Sequence, residues 1–390
     1  MSQPSGSRKN VVVLGAGMIG SAMAQDLAAQ DALHVHVADS RQENLDRVLS
    51  RAAVRTHHVN LGDPAVLREL LKDSELAIGA LPSVIGLQTV KACIEAGCNI
   101  VDISFMPEDA RVLDPLAKQH RVIAITDCGV APGLTNMVAA HAVSLFDSCE
   151  GIEMAVGGLP AVRKWPFDYK AGFAPWDVLE IYTRPAVVLE NGKTVIREAM
   201  SGLERIDVDG VGTLESFVSD GLRSLADTLK VPNMVERTLR WPGHVELMKV
   251  FRETGFFSLD PIQVNGHTLR PRDVTAALLF PKWTFEEGEA DLTVMQIRAW
   301  GVKQKERRTY TFDFLDRYDP GTGLRSMSRS TGFTATAVAN LILDGTLKEP
   351  GVFAPESLGA RPGVLDRVIE YLRERGIRCH TSHGVGTPRP

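Results

Sequence analysis

Val11-Val12-Val13-Leu14-Gly15-Ala16-Gly17-Met18-Ile19-Gly20 is the stretch that decides the fold of this chain. Four apolar residues in a row, three of them β-branched, read as a buried strand. The glycines that follow are spaced G-x-G-x-x-G, and Met18 to Ala29 continues with Ile19, Met23 and Leu27 near helical spacing. Each glycine has its own task in such a turn. Gly15 permits the tight reversal, Gly17 lets backbone approach a pyrophosphate, and Gly20 lets the helix pack close to the strand. The helix start at Met18 and Ile19 presents oriented N–H groups to that anion. Alone the motif is weak. Set between a strand and a helix, with Asp39 closing the next strand, it predicts a dinucleotide site.

Working outward, apolar bursts alternate with helical patterns. His34–Ala38, Val54–Val59, Glu75–Ile78, Ile100–Ile103 and Val122–Ile125 read as strands, with helices over Asn44–Arg51, Ala65–Lys72 and Ile85–Ala96. This alternation predicts an α/β fold with an N-terminal Rossmann parallel sheet. Ligands of such sheets bind beyond the carboxyl ends of the strands. That rim collects Asp39, Ser40, Arg41, Leu61, Ala80, Leu81, Pro82, Asp102, Asp127 and Val130. A carboxylate at Asp39 accepts hydrogen bonds from the adenosine ribose and repels a 2′-phosphate, so NAD is the expected cofactor. Arg41, two residues on, keeps NADP open. After about Asp147 the pattern changes to strand-rich stretches at Ile152–Val156, Ala186–Leu189, Leu292–Ala299 and Arg308–Leu315. They predict a second α/β domain with a mixed or antiparallel sheet. The tail from Thr381 reads as loose.

Composition excludes several classes. At 390 residues the chain is long enough for two domains, and its 44% hydrophobic and 23% charged residues are ordinary globular values. A net charge of -5 offers no basic footprint for nucleic acid and no polybasic membrane patch. No apolar run approaches the roughly 20 residues needed to span a bilayer. Met1–Asn10 is polar, without the apolar core of a signal peptide, and reads as a short disordered lead-in to a cytoplasmic protein. Five cysteines show neither CxxC pairing nor metal-ligand spacing, so reduced thiols and no metal site are expected.

Beyond the glycine turn, several stretches carry a resemblance. They are Ala80-Leu81-Pro82, Val101-Asp102-Ile103-Ser104, Asp127-Cys128-Gly129-Val130-Ala131-Pro132-Gly133, Val156-Gly157-Gly158-Leu159-Pro160 and Tyr169-Lys170. Gly212-Thr213-Leu214-Glu215-Ser216-Phe217, Leu239-Arg240-Trp241-Pro242-Gly243-His244 and Leu269-Arg270-Pro271-Arg272-Asp273-Val274 follow in order. With these the chain resembles the saccharopine dehydrogenase-like family, and within it the lysine-6-dehydrogenase branch. The resemblance implies a Rossmann domain over residues 1–136, completed by a returning segment at about 330–380. It implies a substrate-binding and oligomerisation domain over 137–329, and a homodimer. The implied reaction is NAD-dependent oxidation of an amino-acid side-chain amine, most simply L-lysine at its 6-amine. The product is a semialdehyde that cyclises to a piperideine carboxylate.

That chemistry sets requirements. A lysine ammonium has a pKa near ~10.4, so a group must take up its proton before hydride leaves. A substrate carboxylate wants an arginine fork and a substrate ammonium wants a carboxylate. Asp102 and Asp127 are strand-end carboxylates; the plain alternative for each is helix capping or loop bracing, since Asp127 precedes the helix expected over Gly133–Phe146. Lys170, beside Tyr169, is a candidate base, as is His244, read as lying in a loop where it titrates near neutral pH. Arg240 is the candidate carboxylate anchor, with Ser219, Asp220 and Arg223 as further substrate contacts. Glu215 reads as a structural partner for a nearby arginine. One departure matters: where glutamate-forming relatives carry an arginine, Tyr169 to Trp176 has none. The rival readings are a saccharopine- or carboxynorspermidine-type reductase joining an aldehyde to an amine, and a non-catalytic dinucleotide sensor.

Overall fold

The computed structural model describes residues 8–172 and 175–386. Most of the polar lead-in and Phe173-Ala174 lie outside the described residues. The chain divides into two compact units: residues up to Met137 with Ser328–Gly376, and Val138–Met327 with the chain from Ile377.

In the first unit, β1 (Lys9–Leu14), β2 (Leu33–Asp39), β3 (Arg55–His58), β4 (Leu76–Gly79), β5 (Asn99–Asp102) and β6 (Ile123–Ile125) form a parallel sheet. Its order is β6-β5-β4-β1-β2-β3, with Gly351–Phe353 added beside β6. This is the Rossmann arrangement expected from the sequence, and its strand order reverses at the β1/β4 boundary. Val11, Val12, Val13 and Leu14 are all 0% exposed, because helices cover both faces of this central strand. That double burial is why the strand reads as an unbroken apolar run and not as an alternation. Helix α1 (Met18–Ala28) follows the glycine turn. The returning segment is tied to it at Asp26, whose carboxylate accepts from Tyr371 Oη at 2.7 Å, from Arg375 Nε at 2.5 Å and from the Thr336 hydroxyl. Three donors on one nearly buried carboxylate offset the cost of its desolvation.

The second unit is built on a nine-stranded mixed sheet. Its strands are β7 (Ser148–Pro160), β8 (Ala186–Glu190), β9 (Lys193–Arg197), β10 (Glu204–Val208), β11 (Gly212–Val218) and β12 (Met234–Arg240), followed by others further along the chain. A separate hairpin, β13 (Ile262–Val264) and β14 (His267–Leu269), precedes the long pair β15 (Asp291–Lys303) and β16 (Glu306–Arg317). The order is β10-β11-β12-β7-β15-β16 and then the strand Arg378–Val385, with β8 and β9 beside β12. β7 and β12 run parallel; the other pairs are antiparallel. The tail that reads as loose is therefore a strand, registered from Arg378 on Leu315 to Val385 on Arg308. It carries no apolar alternation because it is an exposed edge. Among the described residues no helix is long and apolar enough to cross a membrane.

Candidate active site

The glycine turn has the geometry that its spacing requires. Gly15 sits at φ +100°, and a Cβ there would lie 2.6 Å from the Ala80 carbonyl oxygen. A Cβ on Gly20 would lie 1.9 Å from the Gly15 carbonyl oxygen. Gly17, by contrast, faces open space, with no neighbouring atom of the described residues within 4 Å of its Cβ position. Helix α1 begins there without a side-chain cap and without an acidic residue in its first turn. Its first N–H groups, at Met18 and Ile19, are thus available to an anion. A dinucleotide pyrophosphate fits this cradle.

Asp39 is 8% exposed and heavily used. Its Oδ2 accepts from Ala16 N at 2.7 Å and Asn44 Nδ2 at 3.2 Å, and its Oδ1 accepts from Arg41 N at 2.8 Å. It braces the glycine turn and still has lone-pair capacity on Oδ1. Ser40 and Arg41 are exposed beside it. Leu61 is buried in the core with Val12, Leu14 and Ala38. Ala80 and Leu81 are half-buried, Pro82 is exposed and Val130 is buried.

Asp102 closes β5 and is 0% exposed. Its Oδ1 accepts from Ser104 N at 2.9 Å and from the Ser104 hydroxyl; its Oδ2 has no hydrogen-bond partner among the described residues. Burial pushes this carboxyl up to about 7; the Ser104 bonds oppose the shift and Asp127 adds to it. Asp127 holds a left-handed φ of +55°. The next helix begins at Leu134, and Gly133 N donates to Asn136 Oδ1 at 3.1 Å.

In the second unit, residues far apart in sequence gather around Arg240, at the end of β12. Its Nε donates to Tyr182 Oη at 3.0 Å and its Nη1 to the Leu239 carbonyl at 2.8 Å. Its guanidinium lies 4.6 Å from the Tyr169 ring centre and 5.8 Å from that of Tyr182. Tyr182 Oη pairs in turn with His244 Nε2 at 2.8 Å, and His244 Nδ1 lies 2.8 Å from the Phe167 carbonyl. A carbonyl only accepts, so Nδ1 carries the hydrogen and Nε2 accepts from the phenol. The bonds form one directed chain, Arg240 to Tyr182 to His244 to Phe167.

This geometry corrects two expectations for His244. It is the first residue of a helix, His244–Glu253, and not part of a loop. Burial, with the Arg240 charge adding to it, pushes the imidazole down to about 3 against the pull of the Phe167 carbonyl. It is neutral near pH 7 and both its nitrogens are engaged. Tyr169 is buried and burial pushes its phenol up, so it too is neutral. Lys170 Nζ donates to the Thr284 carbonyl at 2.7 Å and lies 3.2 Å from Glu289 Oε2.

Ser219 is buried, its hydroxyl donating to Glu236 Oε2 at 2.6 Å and lying 2.7 Å from Thr238 Oγ1. Asp220 Oδ1 accepts from Val187 N at 3.3 Å, which ties it to β8. Arg223 sits at φ +51° in the following loop. Glu215 accepts from Gly243 N at 3.0 Å and lies 3.9 Å from Arg205, so it holds the turn before His244. Sequence reasoning missed Tyr182, Trp283 and Glu236. Glu236 is a fully enclosed carboxyl that burial pushes up to about 7; the Ser219 bond opposes the shift, Asp220 adds to it, and Arg240 opposes it. No sequence signal marks Tyr182 or Trp283, which sit on helices; Glu236 shows as a lone acid in a strand-like stretch.

Comparison with known proteins places these features. The saccharopine dehydrogenase NADP binding domain matches residues 11–125, and the saccharopine dehydrogenase C-terminal domain matches residues 129–377. The chain is 22% identical to the saccharopine dehydrogenase (NADP(+), L-glutamate-forming) of Saccharomyces cerevisiae, over 94% of this chain and 97% of that protein. It is 26% identical to the mitochondrial alpha-aminoadipic semialdehyde synthase of Mus musculus, over 97% of this chain and 48% of that protein. It therefore spans about half the length of such synthases. The apo saccharopine dehydrogenase (L-Glu forming) structure from Saccharomyces cerevisiae matches with a TM-score of 0.81 at 20% identity, covering 96% of this chain and 100% of that one. The homospermidine synthase of Legionella pneumophila, solved with NAD, matches with a TM-score of 0.60 at 11% identity, covering 96% and 91%. At these identities the structural likeness concerns fold alone.

Proposed function

The chain belongs to the saccharopine dehydrogenase family, and from that premise we propose that it is a nicotinamide-dinucleotide-dependent oxidoreductase acting on an amino-acid side-chain amine. Gly15, Gly17, Gly20 and the N–H groups of Met18 and Ile19 hold the pyrophosphate, and Asp39 takes the adenosine ribose. The bound dinucleotide supplies the hydride acceptor. The Asp39 carboxylate disfavours a 2′-phosphate, which supports NAD.

One observation carries the substrate class. The buried arginines Arg237 and Arg272 of the second unit are paired to carboxylates, at Glu153 and Glu204 for the first and Glu180 for the second. Among the described residues no carboxylate lies within 4.0 Å of the equally buried Arg240 guanidinium. A buried cation with no carboxylate in direct contact is costly, and a substrate carboxylate offsets that cost. One such arginine suits an amino acid with a single carboxylate. The absence of arginine from Tyr169 to Trp176 supports L-lysine over saccharopine, which carries several carboxylates. Oxidation then removes a hydride and a proton from the 6-ammonium end to leave an iminium. Water converts that to the semialdehyde and ammonium, and the aldehyde cyclises onto its own α-amine. His244, Tyr182 and Tyr169 serve by orienting Arg240, and Lys170 by bracing the Tyr169 segment. A homodimer through the second unit is supported by its exposed edge strand, Arg378–Val385.

The second reading, a reductase joining an aldehyde to an amine, is supported by the likeness along nearly all of the yeast saccharopine dehydrogenase. NADH absorbance with L-lysine, 1,5-diaminopentane, 6-aminohexanoate and saccharopine separates the two. We expect turnover with L-lysine and at least ~100-fold lower kcat/KM for 1,5-diaminopentane, which lacks the carboxylate that Arg240 binds. Preferential oxidation of saccharopine overturns the lysine reading. Tight dinucleotide binding without turnover of any amine or imine pair points to the sensor.

A further inference from the structure

Asp102 has no part in holding the pyrophosphate, the ribose or the substrate carboxylate. Its position follows from the sheet register. Leu14, Gly79 and Asp102 stand in one row across β1, β4 and β5, while Leu14 faces Ala38 of β2 on the other side. At about 4.8 Å per strand, Asp102 lies roughly 10 Å from the glycine turn, on the opposite side from Asp39. A dinucleotide with its pyrophosphate at the turn and its adenosine over β2 extends its nicotinamide half over β4 and β5.

The side chain at that place is incomplete. Asp102 is fully buried, Ser104 satisfies Oδ1, and Oδ2 has no hydrogen-bond partner among the described residues. Oδ2 rests over Gly79, where a Cβ would lie only 2.0 Å from it, so a glycine is required to admit the carboxyl. Among the described residues the ionisable groups that act on it are Asp127, Cys93 and Cys128, none of them a cation. Burial pushes both thiols far up, so they stay neutral. A buried carboxyl oxygen with no donor and no cation near it is open to a charge brought from outside.

We propose that Asp102 is the proton-linked counterpart of the positively charged pyridinium ring of the oxidised dinucleotide, ionised when that form is bound and protonated when the reduced form is bound. This rests on the dinucleotide reading and on no assumption about substrate. Asp102 acts through charge, as a positioning residue. It also closes the proton balance of amine oxidation: the proton leaving the substrate ammonium is matched by the one Asp102 takes up as the ring loses its charge.

Titration calorimetry of NAD and NADH with the full chain tests this, at pH 6, 7 and 8 and in two buffers of different ionisation enthalpy. NAD is the right probe because its phosphates do not titrate in this range. An opposite charge within about 6 Å lowers a carboxyl pKa by roughly 1–3 units. The dissociation constant for NAD should therefore fall roughly five- to tenfold from pH 6 to pH 8, with about half a proton released per site at pH 7. NADH should release no proton, and its dissociation constant should not fall from pH 6 to pH 8. Asp102→Asn should bind NADH normally, which also reports its folding, and bind NAD without pH dependence. Asp127→Asn should keep the linkage. The inference is overturned if Asp102→Asn retains the pH dependence, if Asp127→Asn abolishes it, or if the wild type binds both forms without it. Failure to bind either dinucleotide overturns the cofactor reading instead, and this inference with it.

Discussion

Replacing Glu236 by Gln should stabilise the protein increasingly as pH rises from about 5 through about 7. Glu236 lies on β12, 5% exposed, with Oε2 bonded to Ser219 Oγ and its carboxyl packed where a Cβ on Gly221 would lie 2.4 Å from Cδ. Its ordinary value of 4.5 is raised to about 7, chiefly by burial. The native state therefore holds a proton that the unfolded chain releases. Such a group contributes stability that is intact below pH 4.5 and lost as pH rises through about 7. At 1.36 kcal/mol per unit the loss amounts to about 3 kcal/mol once both states are ionised. Glutamine has the same shape, offers an acceptor to Ser219 and cannot ionise. The melting temperature of Glu236→Gln relative to wild type should thus rise by roughly 6–12 °C between pH 5 and pH 8. Asp291, raised to about 6 mainly by burial, and His244, lowered to about 3, also titrate between native and unfolded states, with opposite signs. Both are present in either protein, so they cancel in the difference. Thermal scanning at constant ionic strength, following the transition of the second unit, makes the measurement. A difference that stays flat from pH 5 to pH 8, or that turns against the glutamine, refutes the claim that this carboxyl is held neutral.

Asp39→Ala should do more than weaken NAD: it strands the Ala16 and Arg41 N–H groups, so we expect roughly 2–4 kcal/mol lower stability together with a higher Kd for NAD. Denaturant melts beside binding curves check this, and weakened binding at unchanged stability would remove the bracing role. Tyr182→Phe leaves Arg240 Nε and His244 Nε2 without their shared partner. The KM for the amino acid should rise about tenfold with kcat changed far less, since loosening the carboxylate anchor costs ground state and transition state alike. Steady-state kinetics decide it, and a fall in kcat at constant KM would put the phenol in proton transfer instead.

What could be read from the sequence depended on the range of the forces involved. The glycine turn is local: a strand, a reversal and a helix start lie within ten residues, so spacing alone conveys the geometry. β12 is different. Its residues read Met-Val-Glu-Arg-Thr-Leu-Arg, with Glu236 and Arg240 on one face and Arg237 on the other, yet nearly all are buried. Charge on both faces hides a strand that the fold encloses from both sides. The strand Arg378–Val385 fails for the opposite reason, since an exposed edge needs no apolar face. Tyr182 and Trp283 stand on helices where aromatic residues are ordinary, and nothing local reveals that they meet Arg240 and His244 across the core.

His244 shows how that long-range assembly redirects chemistry. In sequence, a histidine after Arg-Trp-Pro-Gly is a neutral-pH base. In the fold, Arg240 lies close enough to add its charge to a large desolvation penalty, and the imidazole cannot be protonated without placing two cations in one apolar pocket. The same burial that silences His244 leaves Arg240 charged, because a guanidinium does not shed its proton. The pocket thus holds one fixed positive charge, oriented by neutral partners and without a carboxylate within 4.0 Å among the described residues. Burial in the first unit acts on Asp102 with the opposite result: a carboxyl can neutralise itself, so it waits with a proton for a cation. Arg240 and Asp102 are complementary for that reason. One presents a permanent charge to a carboxylate, and the other a switchable charge to a ring whose own charge changes with oxidation state.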